Sequence, residues 1–117
     1  MMNPGFRSLM WYLLRGTRGG PNRLRILEVL ERNPANAHQL SSALGLDYRT
    51  VRHHLRLLES NGAVARPVGD AYAAPYELSP YLGEHFQELK DALRSSRGGW
   101  STARAGTPIT RSAGAVR

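Results

Sequence analysis

This sequence has no cysteine. Disulfide staples, zinc ribbons and thiolate metal sensing are therefore excluded. Lysine is nearly absent too: Lys90 is the only one beside fifteen arginines, a bias that suits forked contacts to phosphates and base edges, although genomic base composition also produces it. Acidic residues are few, 9 against 16 basic, and the formal net charge of +7 points to a polyanionic partner. Long apolar runs are missing. The longest, residues 9–14, falls far short of the roughly 20 that span a bilayer, and no small-residue cleavage site follows it. The expectation is a cytoplasmic protein with no membrane partner, placed at the nucleoid. There is no Gly-rich phosphate loop, nucleophile elbow or metal motif, and the carboxylates are scattered over separate segments, so neither an enzyme nor a cofactor is expected. A chain of 117 residues suits one small domain.

What is present is organised around residues 35–62, ANAHQLSSALGLDYRTVRHHLRLLESNG. Asn36 with Gln39 three residues on forms a capping box for a short helix with Leu40, Ala43 and Leu44 on its apolar side. Gly45 stops that helix, Leu46 plugs the turn, and Asp47 caps a second helix. At about 100° per residue, Val51, Leu55 and Leu58 share a narrow sector flanked by Tyr48 and His54, while Arg49, Arg52, His53 and Arg56 fall in the opposite arc. The spacing is that of a helix-turn-helix. Three guanidinium groups and an imidazole on one face fit a DNA major groove, since Arg makes bidentate contacts to guanine edges and phosphates. The plain alternative is a solvated basic face, and the neighbouring segments decide between them.

Residues 1–3 read as frayed. Phe6, Leu9, Met10, Leu13 and Leu14 then repeat at helical spacing after Pro4, with more apolar area than one small domain normally buries from a terminal helix. A membrane-surface helix flanked by Arg7 and Arg15 is the lesser reading. Residues 15–20, RGTRGG, form a basic joint, and Leu24, Ile26, Leu27 and Leu30 mark the next helix. Arg18, Arg23 and Arg25 give that joint a positive field for backbone phosphate. Residues 63–68 and 71–78 read as two short strands around a Gly69–Asp70 tip, with Pro67 and Pro75 marking edges. Such a hairpin after a recognition helix is a wing, and Arg66 and Tyr72 are its candidate DNA contacts. Leu82, Phe86, Leu89 and Leu93 line one side of a last helix. A homodimer built from both ends is expected, with Phe6, Leu9, Met10, Leu13, Leu82, Phe86, Leu89 and Leu93 at its interface.

The resulting fold class is mainly α with a small β-hairpin, a winged helix-turn-helix with additional N-terminal and C-terminal helices. Residues 1–18 form the apolar helix and joint, 19–79 the winged domain, 80–95 the dimerisation helix, and 96–117 a flexible basic tail. The tail either follows phosphates or has no role.

The segment at residues 18–64 resembles the archaeal winged helix-turn-helix regulators of the broad ArsR-like group. Their pattern N-x-x-Q-L-[small]-x-x-L-x-[LV]-[DS]-Y-x-T-V-R-x-H-L-x-x-L-x-x-x-G is met here by Asn36, Gln39, Leu40, Leu44, Leu46, Asp47, Tyr48, Thr50, Val51, Arg52, His54, Leu55, Leu58 and Gly62. The resemblance implies a winged helix, double-stranded DNA as partner and usually a homodimer. Metal sensors of the group use Cys or His clusters, whereas His38, His53, His54 and His85 share no ligand face here, so no metal is expected. The first reading is a dimeric transcription regulator with Tyr48, Arg49, Thr50, Arg52, His53, Arg56, Arg66, Tyr72, Arg18 and Arg23 toward DNA. An abundant nucleoid protein of low specificity is the alternative, and a protein- or RNA-binding adaptor the third. The sequence names no operator or small-molecule effector.

Overall fold

Pro4 and Asn3 start the first helix for reasons local to the sequence. In the computed structural model the Asn3 side chain accepts hydrogen bonds from the amides of Gly5 (2.8 Å) and Phe6 (3.1 Å), and proline follows where its missing N–H is harmless. Residues 1–66 and 74–99 are described, the last four as backbone only. Among them the chain forms α1 (Pro4–Arg15), α2 (Gly20–Arg32), α3 (Ala37–Leu44), α4 (Tyr48–Ser60), β1 (Val64–Ala65), β2 (Glu77–Leu78) and α5 (Pro80–Gly99). The expected fraying at the N-terminus does not occur. Met2 is buried, and the Asn3 amide donates to the Tyr81 hydroxyl at 2.6 Å, which fastens the start of the chain to the first turn of α5.

The capping box at α3 is formed in both directions, Gln39 amide to Asn36 Oδ1 at 2.9 Å and Asn36 amide to Gln39 Oε1 at 2.8 Å. Gly45 then adopts φ +66°, a left-handed conformation that a side chain would strain. Leu46 closes the turn by donating to the Ser41 carbonyl, and Asp47 accepts from the amides of Arg49 and Thr50. This fixes the direction in which α4 leaves the turn.

β1 and β2 are antiparallel with Val64 opposite Leu78 and Ala65 opposite Glu77. The sheet has a further lane that the sequence did not disclose. Ala35, between α2 and α3, exchanges both backbone hydrogen bonds with Tyr76 at 3.0 and 2.9 Å. Within the described residues the strands are shorter than the 63–68 and 71–78 expected. Pro75 has no N–H to extend the ladder, and Tyr76 is already paired with Ala35. The hairpin tip, with Gly69, Asp70 and Tyr72, lies outside the described residues, as do residues 100–117.

The chain divides into two units, residues 1–85 and 86–117. In the first, Ile26, Leu27, Leu40, Val51, Leu55, Leu58 and Leu82 form a core together with Met10, Leu13 and Leu14. Each such aliphatic side chain contributes roughly 1.5–3 kcal/mol on burial. In the second unit α5 continues to Gly99, beyond the boundary at Ser95, through residues that carry no apolar periodicity. Helix hydrogen bonds do not require that periodicity. Phe86, Leu89 and Leu93 are buried.

This burial corrects the expected dimer interface. Met10, Leu13, Leu82, Phe86, Leu89 and Leu93 are at most 3 % exposed in the single chain, so they have no area left to offer a second copy. Only Phe6 and Leu9 of that set are half-buried, and Phe6 already meets the Tyr81 ring edge-on at 5.2 Å. Outside the set, Tyr12 is 60 % exposed.

The start of α2 sits directly on the last turn of α1: a Cβ at Gly20 would lie 2.3 Å from the Leu14 carbonyl oxygen, whereas one at Gly83 in α5 would meet nothing within 4 Å. Gly20→Ala is expected to destabilise the protein by about 1–3 kcal/mol, the range for forced overpacking, and Gly83→Ala to stabilise it by about 0.5–1 kcal/mol through helix propensity. Urea unfolding midpoints of the two variants check both signs.

Candidate nucleic-acid interface

Helix α4 has one dry side and one wet side. Val51, Leu55 and Leu58 are buried, while Arg49, Thr50, His53 and Arg56 are exposed. The four exposed residues include two guanidinium groups and an imidazole on one arc of a helix that leaves no acid among them. Glu59 is the acid of α4, and it is engaged elsewhere: Arg66 reaches it with Nε at 3.3 Å and lays its guanidinium 5.3 Å from the centre of the Tyr76 ring. The positive charge that was expected on the wing is thus drawn to the foot of the hairpin, against α4.

Arg52 also departs from the simple arc. It is half-buried, its Nη1 donates to the Tyr48 hydroxyl at 3.1 Å, and its Cζ lies 5.8 Å from the Tyr48 ring centre. On the Tyr48 ring stacks His38 of α3, with centroids 4.2 Å apart and planes 15° from parallel. Sequence reasoning did not mark His38 as part of this face. Its only signal is its place near the start of α3, and the phase of α3 against α4 depends on the turn between them.

Arg23 is the clearest correction. Expected to meet phosphate from the joint, it is 4 % exposed. Its Nε donates to the Leu13 carbonyl at 2.9 Å, Nη1 to His54 Nδ1 at 3.1 Å, and Nη2 to the Thr17 hydroxyl at close range. Periodicity could not reveal this, because an arginine at the edge of a core stripe looks like a solvated one until its partners arrive from other segments. Gly19 completes the enclosure, since a Cβ there would lie 2.7 Å from the His54 ring and 2.8 Å from Arg23 Nη1. Arg18 stands exposed in the same joint.

For Arg23 to donate to Nδ1, His54 must be neutral with its proton on Nε2. Burial lowers the His54 pKa below the ordinary 6.5, and the charges of Arg23 and His53 push it the same way. Burial also lowers that of Arg23, whose guanidinium nevertheless remains protonated. Of the four histidines, His38 lies on Tyr48, His53 is exposed with its ring 5.7 Å from that of His54, His54 lies under Arg23, and His85 is beside Tyr81 with centroids 4.6 Å apart. The groove of about 530 Å³ that Val29, Ala43 and Leu44 line with Arg25 and Arg32 takes no residue from α4.

The fold has solved counterparts. The reduced form of the transcriptional regulator YodB from B. subtilis is similar over 92 % of this chain and all of its own, with a TM-score of 0.62 at 21 % identity. The S. aureus MepR–DNA complex is similar over 80 % of both chains, with a TM-score of 0.50 at 19 % identity. The chain has a winged-helix fold. Within it, residues 20–65 match the family described as bacterial regulatory protein, arsR family, a stretch that begins with α2 and ends with β1. No curated protein matches the sequence.

The pH dependence of stability follows from His54. Its folded pKa is below the unfolded value, so the unfolded state binds the extra proton as pH falls through about 6.5 and stability is lost in that direction. Between the unfolded and the lowered folded pKa this one group imposes a slope of at most about 1.4 kcal/mol per pH unit. His54→Asn, which keeps an acceptor for Arg23 without a titratable ring, is expected to flatten the decline between pH 7.5 and roughly 5. Urea titrations of both proteins across that range measure the difference.

Proposed function

We propose that this chain is a DNA-binding transcription regulator that places α4 in the major groove of duplex DNA. The observation that carries the reading is the exposed cationic arc of Arg49, His53 and Arg56 on a helix whose opposite side is locked into the core by Val51, Leu55 and Leu58. Such a helix cannot roll to hide its charge, and a groove lined by phosphates with guanine edges at its floor answers that charge. MepR, a winged-helix neighbour, has a structure with DNA, which supports the same partner here. Tyr48, Arg49, Thr50, Arg52, His53 and Arg56 face bases and their flanking phosphates, and Arg18 extends the contact along the backbone. The regulator acts as a homodimer on two half-sites about one helical turn apart. Of the expected apolar interface, Phe6 and Leu9 keep area for a partner, next to the exposed Tyr12.

The net charge of +7 favours a second reading, a nucleoid protein that coats DNA with little selectivity. Salt and competitor DNA separate the two. Arg49→Ala with Arg56→Ala is expected to weaken binding to random duplex and to flatten the slope of log affinity against log salt by about 0.9 for each phosphate no longer neutralised. Fluorescence anisotropy with labelled duplex over a salt series measures both, and an unchanged slope removes α4 from the interface. A regulator is expected to prefer a selected site over competitor by a factor on the order of 10³ or more; near-equal affinity for all duplexes favours the nucleoid reading.

A further inference from the structure

The groove of about 530 Å³ between α2 and α3 has no part in DNA binding as read above, since no residue of α4 borders it. Its size is that of a site for a small organic molecule. The stripe of α2 along it runs Arg25, Glu28, Val29 and Arg32, a spacing of i, i+3, i+4 and i+7 that sets all four on one side of the helix. From α3 it is lined by Gln39, Ala43 and Leu44. Charged groups of both signs thus meet an apolar lining.

The polar groups of the groove are engaged unequally. Arg25 is committed to the protein: Nη1 donates to the Asn22 side chain at 3.2 Å and Nη2 to the Leu44 carbonyl at 3.1 Å, which ties α2 to the last residue of α3. Gln39 accepts from the Asn36 amide through Oε1, and the NH₂ of the same side chain is left as a donor. Glu28 is half-buried and Arg32 exposed, one helical turn apart in the order in which such residues ordinarily pair. Among the described residues no hydrogen bond or ion pair engages either of them. An acceptor and a forked donor therefore stand side by side, both uncommitted, next to Val29.

We infer that this groove is a binding site for a small zwitterion with a large apolar side chain, of the class of a free α-amino acid. The Arg32 fork and the Gln39 amide take its carboxylate, Glu28 takes its ammonium, and Val29, Ala43 and Leu44 take its side chain. The donor set decides the class. A plain carboxylic acid would set its negative charge in a groove that also holds Glu28, and a plain amine would meet two arginines, whereas a ligand bearing both charges answers both. The volume has room for an aromatic side chain. This inference goes beyond the DNA-binding reading and stands without it.

The test uses the full chain, isotope-labelled and free of DNA, in amide chemical-shift titrations that report both affinity and location. L-phenylalanine is the probe, with phenylpropanoate lacking the ammonium and phenylethylamine lacking the carboxylate. Wild type is expected to bind phenylalanine with a Kd on the order of 1 mM or below, with the shifts centred on α2 and α3. Each single-charge analogue is expected to bind about tenfold or more weakly, the loss of one charge-assisted contact. Glu28→Gln is expected to bring phenylalanine and phenylpropanoate to near-equal affinity while phenylethylamine stays the weaker ligand. Arg32→Gln is expected to do the converse, bringing phenylalanine and phenylethylamine together and leaving the other preference in place.

No saturable shift with phenylalanine at roughly 10 mM, tenfold past that Kd, overturns the inference, as do shifts confined to residues outside α2 and α3. Variants that weaken all three ligands alike, or that keep the wild-type preferences, overturn it too, because neither charge then reads the ligand. None of these outcomes bears on whether α4 binds DNA.

Discussion

One guanidinium ties three parts of this protein together. Arg23 extends from α2 into the interior and donates to the last turn of α1 through Leu13, to the joint through Thr17, and to α4 through His54. Its partners among the described residues are a carbonyl, a hydroxyl and a neutral ring, none of them a carboxylate. A buried cation held this way is costly unless every donor finds its acceptor. That requirement fixes the glycine joint close against α4, since side chains at Gly19 or Gly20 would displace His54 or the α1 carbonyls. It also fixes the protonation state of His54, because only the neutral ring has a lone pair at Nδ1 to give.

From that fixed side of α4 the properties of its other side follow. Val51, Leu55 and Leu58 prevent the helix from rotating, Asp47 sets its first turn, and the left-handed Gly45 sets the angle at which it leaves α3. A rigid helix with Arg49, His53 and Arg56 exposed along one arc then results. The two acids nearest in chain are both occupied: Asp47 by the first-turn amides of α4, Glu59 by Arg66. The electrostatic character of the face thus depends on where a few carboxylates are engaged as much as on how many arginines there are.

The same turn that aims α4 brings His38 over Tyr48, and so couples the short helix to the orientation of Arg52. The α3–α4 pair is then joined by more than its turn: the first helix lays a ring on the first residue of the second. On the opposite flank Arg66 and Tyr76 brace the foot of the hairpin against Glu59, while Ala35 pairs with Tyr76 to join the hairpin to the loop before α3. The foot of the hairpin, α3 and α4 are each held by contacts that cross between them.

The sequence by itself determined the local chemistry of the α3–α4 segment. The Asn36–Gln39 box, the stop at Gly45, the Asp47 cap and the buried stripe of α4 are local consequences of side-chain chemistry and the 3.6-residue period, and all four could be read from the spacing of residue types. Tertiary structure decided the features that need a partner from elsewhere in the chain. Arg23 passed from surface to core because Leu13, Thr17 and His54 converge on it; Ala35 became a sheet residue because Tyr76 reaches it; and apolar residues assigned to a second subunit, Met10, Leu13 and Leu82 among them, are covered in the single chain. Periodicity gives the direction a side chain points along its own helix. It carries no information on what stands opposite, and burial of a charge or an apolar surface is a property of that pair.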